Sequence, residues 1–386
     1  RIMIAPPSLL SMLQELIATP SVSSTLAHWD QSNRGVIDKL EGWLSGMGFA
    51  TEVIELEGFP GKANLIATLG SGSGGLVLSG HTDTVPYDAG RWRQDPFKLT
   101  ELNNRFYGLG SCDMKGFFAL AIEAARGVAE NPSQLRQPLI ILATADEETS
   151  MSGARALALS GRPKARRAVI GEPTSMRPVY LHKGMMMERV RLTGRSGHSS
   201  DPNLGINALE AMQGVMTELL LFRTELQQQH QNRAFEIAVP TLNLGCIHGG
   251  DNPNRICASC ELDFDLRPLP GMDLVPLRDQ INRRLAAVAD RYGVKIETEA
   301  LFPGIPAFQN QQDSTLVKLA EKLSGYSAQS VAFGTEAPFL QQLGMDTIVM
   351  GPGSIDQAHQ PDEFLALDQI KPTVAILETL IRDSCL

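Results

Sequence analysis

Residues 76–86 read LVLSGHTDTVP, a mainly apolar run followed by a histidine, an aspartate and a proline. Apolar runs of this length, bounded by Gly, Pro and Asp, are typical of strands buried on both faces of a sheet. Three other segments share the pattern: ANLIATL at 63–69, PLIILATA at 138–145 and AVIGE at 168–172. Helical stretches are predicted near 8–18, 35–47 and 116–129. This half of the chain therefore predicts an α/β domain with a mostly parallel sheet.

The order of the predicted elements changes between residues 182 and 302. Here the pattern is β-α-β-β-α-β, with the helices INALEAMQGVMTELLLFRTELQ and LVPLRDQINRRLAAVADRYG between strands. That order is typical of a ferredoxin-like unit. After residue 302, the segments DSTLVKLAEKLSG and TIVMGPGS again show the pattern of a helix followed by a buried, apolar strand. We therefore expect a discontinuous α/β domain of residues 1–181 and 303–386, into which an α+β domain of residues 182–302 is inserted.

The composition narrows the classes of partner. The chain has 386 residues, and 34 basic against 43 acidic residues give a net charge of −9. No basic cluster is interleaved with aromatic residues, so nucleic acid is not an expected partner. The sequence has no apolar stretch of membrane-spanning length and no signal-peptide layout near its start, so we expect no membrane span. The five irregularly spaced cysteines favour a reducing, cytoplasmic location.

Two segments match known binding motifs but have simpler structural interpretations. GSGSGG at 70–75 matches a dinucleotide fingerprint, but no helix follows it, so we expect a hairpin-like turn between two strands. Cys257 and Cys260 lie in RICASCELDFDLRP, which reads as a strand. Side chains three apart on a strand point to opposite faces, so we expect these cysteines to share neither a metal nor a disulfide.

Polar residues gather at the ends of the predicted buried strands. They are His81 and Asp83, Asp146-Glu147-Glu148, Glu172 and His359, together with Asp113 just before a helix. Each alone has an ordinary interpretation as a cap, a core residue or a solvated helix start. At the carboxyl edge of a parallel sheet, however, so many acids need added positive charge. Two divalent metals supply it, with Zn²⁺ as the default and Co²⁺ compatible, and such sites serve hydrolysis.

Taken together, the motifs resemble those of the M20 metallopeptidase family of co-catalytic zinc amidohydrolases. The matching segments are HTDTVP, GLGSCDMKGFFA, ATADEETSMSGA, GEPTS, RSGHSSDP and GPGSIDQAHQPDE, in the family's order. The resemblance runs from about residue 15 to the C-terminus. It implies a zinc-peptidase-like catalytic domain and an inserted dimerisation and lid domain, and thus a homodimer.

The resemblance also implies roles for single residues. The matching metal ligands are His81 and Glu172 for one ion, Glu148 and His359 for the other, and Asp113 as the bridge. Glu147 would be the general base that takes a proton from the attacking water and gives it to the leaving amine. Asp83, on the same side of an extended chain as His81, would brace the imidazole. His198 would reach across the dimer to stabilise the oxyanion.

The implied substrate is a small N-acyl amino acid. HTDTVPYDAGRWRQDPF, TLNLGCIHGGDNPNRICASCELDFDLRPLPGM and GPGSIDQAHQPDEFL resemble the members that release acetate from N2-acetyl-L-ornithine in arginine biosynthesis. Arg267 is the candidate for binding the substrate α-carboxylate, with Asn254 assisting, although Arg267 could instead pair with Asp263 or Asp265. Glu336 is a candidate partner for the side-chain ammonium.

Other functions remain open at this point. A desuccinylase acting on N-succinyl-diaminopimelate, or a broader N-acyl-amino-acid amidohydrolase, would use the same metals. A metal-free binding or regulatory protein on the same fold would lack a ligand or the base, and none is missing here. Cys112 stands where the family pattern leads us to expect a small residue such as alanine, and we expect it to be a small core residue.

Overall fold

The computed structural model describes residues 4–386. Residues 1–3, with which the predicted first domain begins, lie outside this range. The helices are α1 (Leu9–Ile17), α2 (Arg34–Gly46), α3 (Lys115–Glu130), α4 (Ser152–Ser160), α5 (Ala208–Gln229), α6 (Leu274–Tyr292), α7 (Thr315–Ser324), α8 (Ala337–Gln342) and α9 (Ile370–Cys385). Among the described residues, no helix is both long enough and apolar enough to cross a bilayer.

The strands are short, as is usual for a chain of this class. They are β1 (Ala50–Glu55), β2 (Ala63–Leu69), β3 (Leu76–His81), β4 (Thr100–Leu102), β5 (Arg105–Tyr107), β6 (Leu139–Thr144), β7 (Arg167–Ile170), β8 (Val179–His182), β9 (Met186–Thr193), β10 (Thr241–Gly249), β11 (Ser259–Arg267), β12 (Lys295–Ala300), β13 (Phe308–Gln309), β14 (Gln329–Val331), β15 (Asp346–Val349) and β16 (Phe364–Ala366).

The described residues divide into two compact units. Unit 1 runs to Tyr180 and also includes Asn310–Gln329 and Thr335–Leu386, whereas unit 2 comprises Leu181–Gln309 and Ser330–Gly334. The sequence places its inserted domain at 182–302. Unit 2 thus contains two short stretches on the C-terminal side of that expected boundary.

Unit 1 is built on a sheet with the strand order β1-β2-β6-β3-β7-β15. The last four of these strands are parallel to one another, and β1 and β2 add antiparallel pairs at one side. β3 and β6 are buried along their whole length, as their apolar runs predict. The α/β class with a parallel centre is confirmed. The carboxyl ends of β6, β3, β7 and β15 therefore meet at one edge.

The helices of unit 1 pack on this sheet through their apolar sides. α3 contacts β3, α1 and α9, and it buries Phe117 and Phe118 completely or nearly so. The end of β3 accommodates the start of α3 because Gly80 has no side chain: a Cβ there would lie 2.5 Å from Met114 Cε. This close approach brings the loop that precedes α3 against the carboxyl end of β3.

The glycine-rich turn at 70–75 does not join neighbouring strands. β6 lies between β2 and β3, so the expectation of a hairpin-like connection is wrong, while the absence of a following helix is confirmed. The turn instead passes close to the start of β6. A Cβ at Gly75 would lie 2.0 Å from the Pro138 carbonyl oxygen, and Gly75 has a φ of 85°. Both features require glycine at position 75, so the glycine there is explained without a bound nucleotide.

Unit 2 contains an antiparallel sheet with the order β10-β11-β9-β12, on which α5 and α6 pack. The chain order β9-α5-β10-β11-α6-β12 confirms the ferredoxin-like unit. Alternate residues of β11 from Cys260 to Leu266 are buried, and those between them are half-buried. On this polar face Arg189 and Asp263 form an ion pair at 2.7 Å.

Cys257 lies ahead of β11 and not within it, so the prediction that the strand includes Cys257 is wrong. β11 begins at Ser259, because the carbonyl of Cys257 accepts a hydrogen bond from the Ala208 N–H at the start of α5 and does not extend the strand. Cys257 and Cys260 are both free thiols, which agrees with the expectation that they form no disulfide.

Candidate metal centre

Six side chains of unit 1 converge at the carboxyl edge of its parallel strands. His81 ends β3, Glu147 and Glu148 follow β6, Glu172 follows β7, His359 lies in the loop after β15, and Asp113 precedes α3. They form three groups whose ligand atoms lie within 4.8 Å of one another: His81, Asp113 and Glu172; His81, Glu147 and Glu148; and Asp113, Glu148 and His359. Asp113 thus connects the two histidines.

The backbone fixes the orientation of the His81 ring. Its Nδ1 lies 2.9 Å from the carbonyl oxygen of Asp83, and because a carbonyl can only accept, Nδ1 carries the hydrogen and donates it. Nε2 then faces Asp113 Oδ1 at 3.1 Å and Glu172 Oε1 at 3.5 Å. This arrangement leaves Nε2 as the ring nitrogen available to a metal.

The Asp83 side chain holds the loop that carries two of the glutamates. Its Oδ1 accepts the N–H of Glu147 at 3.1 Å, and its Oδ2 accepts the N–H of Glu148 at 3.0 Å. The carboxylate lies 3.4 Å from His81 Nδ1, farther away than the carbonyl of the same residue. Asp83 therefore braces the imidazole mainly through its backbone, and its side chain organises the loop after β6.

His359, in the loop after β15, completes the group that it forms with Asp113 and Glu148. Its Nε2 lies 3.0 Å from Glu148 Oε2 and 3.5 Å from Asp113 Oδ2. Its side chain is 56% exposed, whereas that of His81 is fully buried. One oxygen of Asp113 thus faces His81 and the other faces His359, which is the arrangement that a bridging carboxylate requires.

The cluster contains more negative charge than its own side chains neutralise. Burial, together with the neighbouring Glu172 and Glu148, raises the pKa of Glu147 well above its usual value. Burial opposes the protonation of His81, but the carboxylates of Glu172 and Glu147 outweigh it and raise the pKa of the imidazole. Hydrogen bonds to Asp113 and Glu148 raise the pKa of His359 to about 10. The cluster therefore favours bound positive charge, whether protons or metal ions.

One buried oxygen of the cluster has no hydrogen-bond partner among the described residues. It is Glu172 Oε1, which lies 3.5 Å from His81 Nε2. A buried acceptor left in this way is costly unless something else binds it. Imidazole and carboxylate donors together suit Zn²⁺, Co²⁺ or Mn²⁺. The residues therefore fit divalent cations on both sides of Asp113.

Three other predicted site residues, His198, Asn254 and Arg267, belong to unit 2. His198 is exposed, and its Nδ1 lies 3.2 Å from the backbone N of Ser200. A backbone N–H can only donate, so Nδ1 accepts and the ring hydrogen is on Nε2. The carbonyl of Asn254 accepts the N–H of Ser199 at 3.1 Å, which brings the loops of His198 and Asn254 together.

Arg267 lies on the polar face of β11 and lines a cavity of about 460 Å³ within unit 2. Its Nε donates to both oxygens of Asp265 at 3.0 and 2.9 Å, so the alternative pairing with that residue is present. Lys183 lines the same cavity, and burial together with the charge of Arg267 lowers its pKa. Two cations and one carboxylate, that of Glu236, thus line the cavity, and the cations suit an anionic group such as a carboxylate.

Two buried charged residues near the cluster were missed in the sequence. Glu363 is 1% exposed, and its carboxylate accepts backbone N–H groups from the loop that ends at Asp113. Lys115 donates its Nζ to the Thr19 carbonyl at 2.9 Å, and burial lowers its pKa to about 7. The buried position of Lys115 could have been predicted, because this lysine begins the apolar helix KGFFALAIEAA. The buried position of Glu363 could not, because an acid before a strand as short as β16 gives no such indication.

Glu336 and Cys112 are both buried next to the cluster. Glu336 accepts the Thr144 hydroxyl at 2.7 Å, and burial raises its pKa to about 8. Burial also raises the pKa of the Cys112 thiol well above its usual value, and Sγ contacts the Ser354 carbonyl at 3.4 Å. Gly353 leaves room for this sulfur, since a Cβ there would lie 2.4 Å from it.

Comparisons with known proteins identify relatives of this chain. The sequence matches peptidase family M20/M25/M40 over residues 77–383. The acetylornithine deacetylases of Pasteurella multocida and Proteus mirabilis are each 51% identical to it, over 98% of this chain and 98% and 97% of theirs. The M20 family metallo-carboxypeptidase Sso-CP2 from Sulfolobus solfataricus has a TM-score of 0.76 at 17% identity, covering 97% of this chain and 99% of that one.

A second solved structure has the same fold. The YXEP protein of Bacillus subtilis, described as a dinuclear metal binding peptidase of the M20 family, has a TM-score of 0.67 at 16% identity over 97% of both chains. At this level of identity the likeness concerns the fold. On the match to the family and the identity to its members, the chain belongs to peptidase family M20/M25/M40.

Proposed function

We propose that this protein is a metal-dependent amide hydrolase that converts N2-acetyl-L-ornithine and water into L-ornithine and acetate. The observation that carries the proposal is the 51% identity, over nearly the whole chain, to relatives named acetylornithine deacetylase. The cluster supports it as well, because it brings together a full set of candidate ligands and a candidate base. A metal-free binding protein would not need such a set.

The proposed cofactors are two Zn²⁺ ions, for which Co²⁺ may substitute chemically. His81 and Glu172 would hold one ion, Glu148 and His359 the other, and Asp113 would lie between them. When bound, such ions lower the pKa of water and polarise the acyl carbonyl. The unpartnered oxygen of Glu172 and the opposite directions of the two Asp113 oxygens support this assignment.

Glu147 is the proposed general base. Its carboxylate lies 3.8 Å from His81 Nε2. It is nevertheless not a member of either candidate ligand group that contains Asp113. Glu147 would take a proton from the attacking water as the new C–O bond forms. It would then deliver that proton to the departing α-amine as the C–N bond breaks. Burial raises its pKa, which suits a group that must hold the proton between these steps. Asp83 would keep the Glu147 backbone in place.

Three residues of unit 2 are proposed to bind the substrate. Arg267 would bind its α-carboxylate, with Asn254 assisting. Support comes from the second cation, Lys183, on the Arg267 cavity. His198 of the partner subunit would stabilise the oxyanion. The hydrogen-bonding of Nδ1 supports this role, because it leaves the Nε2 hydrogen free to donate.

A homodimer through unit 2 accompanies this proposal. β10 is an edge strand of its sheet, and most of its residues are exposed. Ile247 on β10 is 47% exposed, and Leu221 on the adjacent α5 is 53% exposed. Unpaired strand edges beside apolar residues are usually covered in solution, and a second copy would cover this one. Sedimentation equilibrium should give twice the mass of the chain, and a monomer at micromolar concentration would contradict it.

A reducing, cytoplasmic location is also proposed. Its support is that Cys112, Cys246, Cys257, Cys260 and Cys385 are all free thiols. Disulfides form and persist mainly in oxidising compartments, such as the extracellular space.

The function is tested by measuring metal content and then the hydrolysis of two substrates, N-acetyl-ornithine and N-succinyl-diaminopimelate. Each is assayed before chelation, after chelation and after Zn²⁺ or Co²⁺ is added back. We expect activity on the acetyl substrate that chelation abolishes and metal restores. Full activity in a metal-free sample would falsify the mechanism. Preference for the succinyl substrate would favour the desuccinylase alternative, and equal use of many acyl amino acids would favour a broad amidohydrolase.

A further inference from the structure

Glu363 lies where two loops of unit 1 meet. It closes the loop that follows β15 and carries His359, and it stands directly before β16. β16 pairs with β5, with Phe364 opposite Tyr107, so the backbone next to Glu363 is held by a strand ladder. The side chain is 1% exposed and points into the other loop, residues 108–113.

Glu363 accepts hydrogen bonds from the backbone of the second loop, residues 108–113. Oε1 accepts the N–H groups of Cys112 at 2.9 Å and Asp113 at 2.8 Å, and Oε2 accepts that of Gly110 at 3.1 Å. The carbonyl of Glu363 accepts the Gly108 N–H at 3.0 Å. Hydrogen bonds to a carboxylate are about twice as strong as neutral ones. One residue thus fixes the backbone of the Asp113 loop along its length.

The two loops supply different ligands to the same group. Asp113 Oδ2 and His359 Nε2 are 3.5 Å apart, although they belong to segments far apart in the chain. Their separation depends on how the loops are joined, and Glu363 is a direct joint between them. It supplies no ligand itself, because its oxygens are engaged by backbone N–H groups and it is absent from every candidate ligand group found among residues 4–386.

We propose that Glu363 is a positioning residue that sets the separation of Asp113 and His359, and with it the affinity of the metal position that these two residues share. The inference rests on the two-metal site proposed above. Residues behind metal ligands commonly change metal affinity by about 10- to 100-fold when they are replaced. The position that contains His81 and Glu172 shares Asp113 but not His359, and its His81 is held by the Asp83 carbonyl, so it depends less on this joint.

The test is calorimetric titration of the metal-free protein with Zn²⁺ in a competing chelator buffer. Glu363→Gln keeps the size of the side chain but leaves one acceptor oxygen, and its NH₂ group would face a backbone N–H. We expect the Kd of one of the two binding events to rise about 10-fold, and Glu363→Ala to raise it about 100-fold. His359→Ala identifies that event, since it removes a ligand of the same position.

A matched control is available at the preceding residue. Asp362 Oδ1 accepts the N–H groups of Arg93 at 2.8 Å and Gln94 at 3.0 Å, so it joins the same loop to a segment without a candidate ligand. Asp362→Asn should leave both Zn²⁺ affinities unchanged. Circular dichroism checks that each variant is folded, and if Glu363→Ala is not, Glu363→Gln decides.

Two results would overturn the inference. One is wild-type Zn²⁺ affinity at both positions in folded Glu363→Gln. The other is an equal loss in Asp362→Asn, which would mean that any loosening of this loop suffices. If the wild-type protein binds no Zn²⁺, the proposed function fails and the inference fails with it. Normal wild-type binding with an unaffected Glu363→Gln variant contradicts the inference alone.

Discussion

Replacing Asp83 by asparagine removes one of the two acceptors that hold the loop after β6. Its two oxygens accept the N–H groups of Glu147 and Glu148 at 3.1 and 3.0 Å, in a site where Asp83 is fully buried. Asparagine keeps one acceptor and turns an NH₂ group toward the other N–H. Losing a buried hydrogen bond to a charged group costs about 1.5–3 kcal/mol. At about 1.4 kcal/mol for each factor of ten, the expected loss is about 10- to 150-fold.

The loss of about 10- to 150-fold expected for Asp83→Asn should be shared between turnover and metal affinity. Glu147 is the proposed base and Glu148 a proposed ligand, so both kcat and Zn²⁺ affinity should fall in Asp83→Asn, whereas KM should change little. The assays are hydrolysis of N-acetyl-ornithine at saturating Zn²⁺ and Zn²⁺ titration of the metal-free protein. Ser79→Ala is the control, because Ser79 lies on β3, four residues before Asp83, and its buried hydroxyl has no hydrogen-bond partner among the described residues. Wild-type kcat and Zn²⁺ affinity in Asp83→Asn would refute the reasoning.

Three further perturbations test other parts of the site. Glu147→Gln should keep its Zn²⁺ content by atomic absorption but lower kcat by about 10²- to 10⁴-fold; loss of Zn²⁺ would instead make Glu147 a ligand. In the metal-free protein, burial raises the pKa of Glu336 from the usual 4.5 to about 8. The folded state therefore keeps a proton that the unfolded state loses, so Tm should fall as pH rises from 4.5 to 8, and less steeply in Glu336→Gln; a rising Tm would contradict this. Cys112→Ala should retain activity. The native thiol should resist alkylation by iodoacetamide, because it is buried and its pKa is raised. Rapid loss of activity with iodoacetamide in the wild type, but not in the variant, would contradict this expectation.

The strand ends were predictable because apolar runs and their polar successors are local features. LVLSG followed by His81, and AVIG followed by Glu172, each contain both the strand and its end. Once the strands are parallel, their carboxyl ends must share an edge, so the convergence of these residues follows from topology alone. The structure gives β3 and β7 as parallel neighbours.

Features that depend on pairing partners were not predictable in this way. The turn at 70–75 reads as a hairpin because β2 and β3 are adjacent in sequence, but β6, from much later in the chain, takes the place between them. The start of β11 is likewise decided by a hydrogen bond from Ala208. Glu363 shows the same limit, because its role consists of contacts with backbone about 250 residues away.

The unequal exposure of the two histidines has a kinetic consequence for the proposed metals. His81 is fully buried, whereas the His359 side chain is 56% exposed and sits on a loop in the left-handed region, with a φ of 60°. Water and chelators reach the outer histidine first, so the ion it holds should dissociate faster than its inner neighbour. Dilution into a metal-poor medium would then empty the centre in two phases and pass through a form with one ion. Activity and metal content followed over time would decay together only in the first phase.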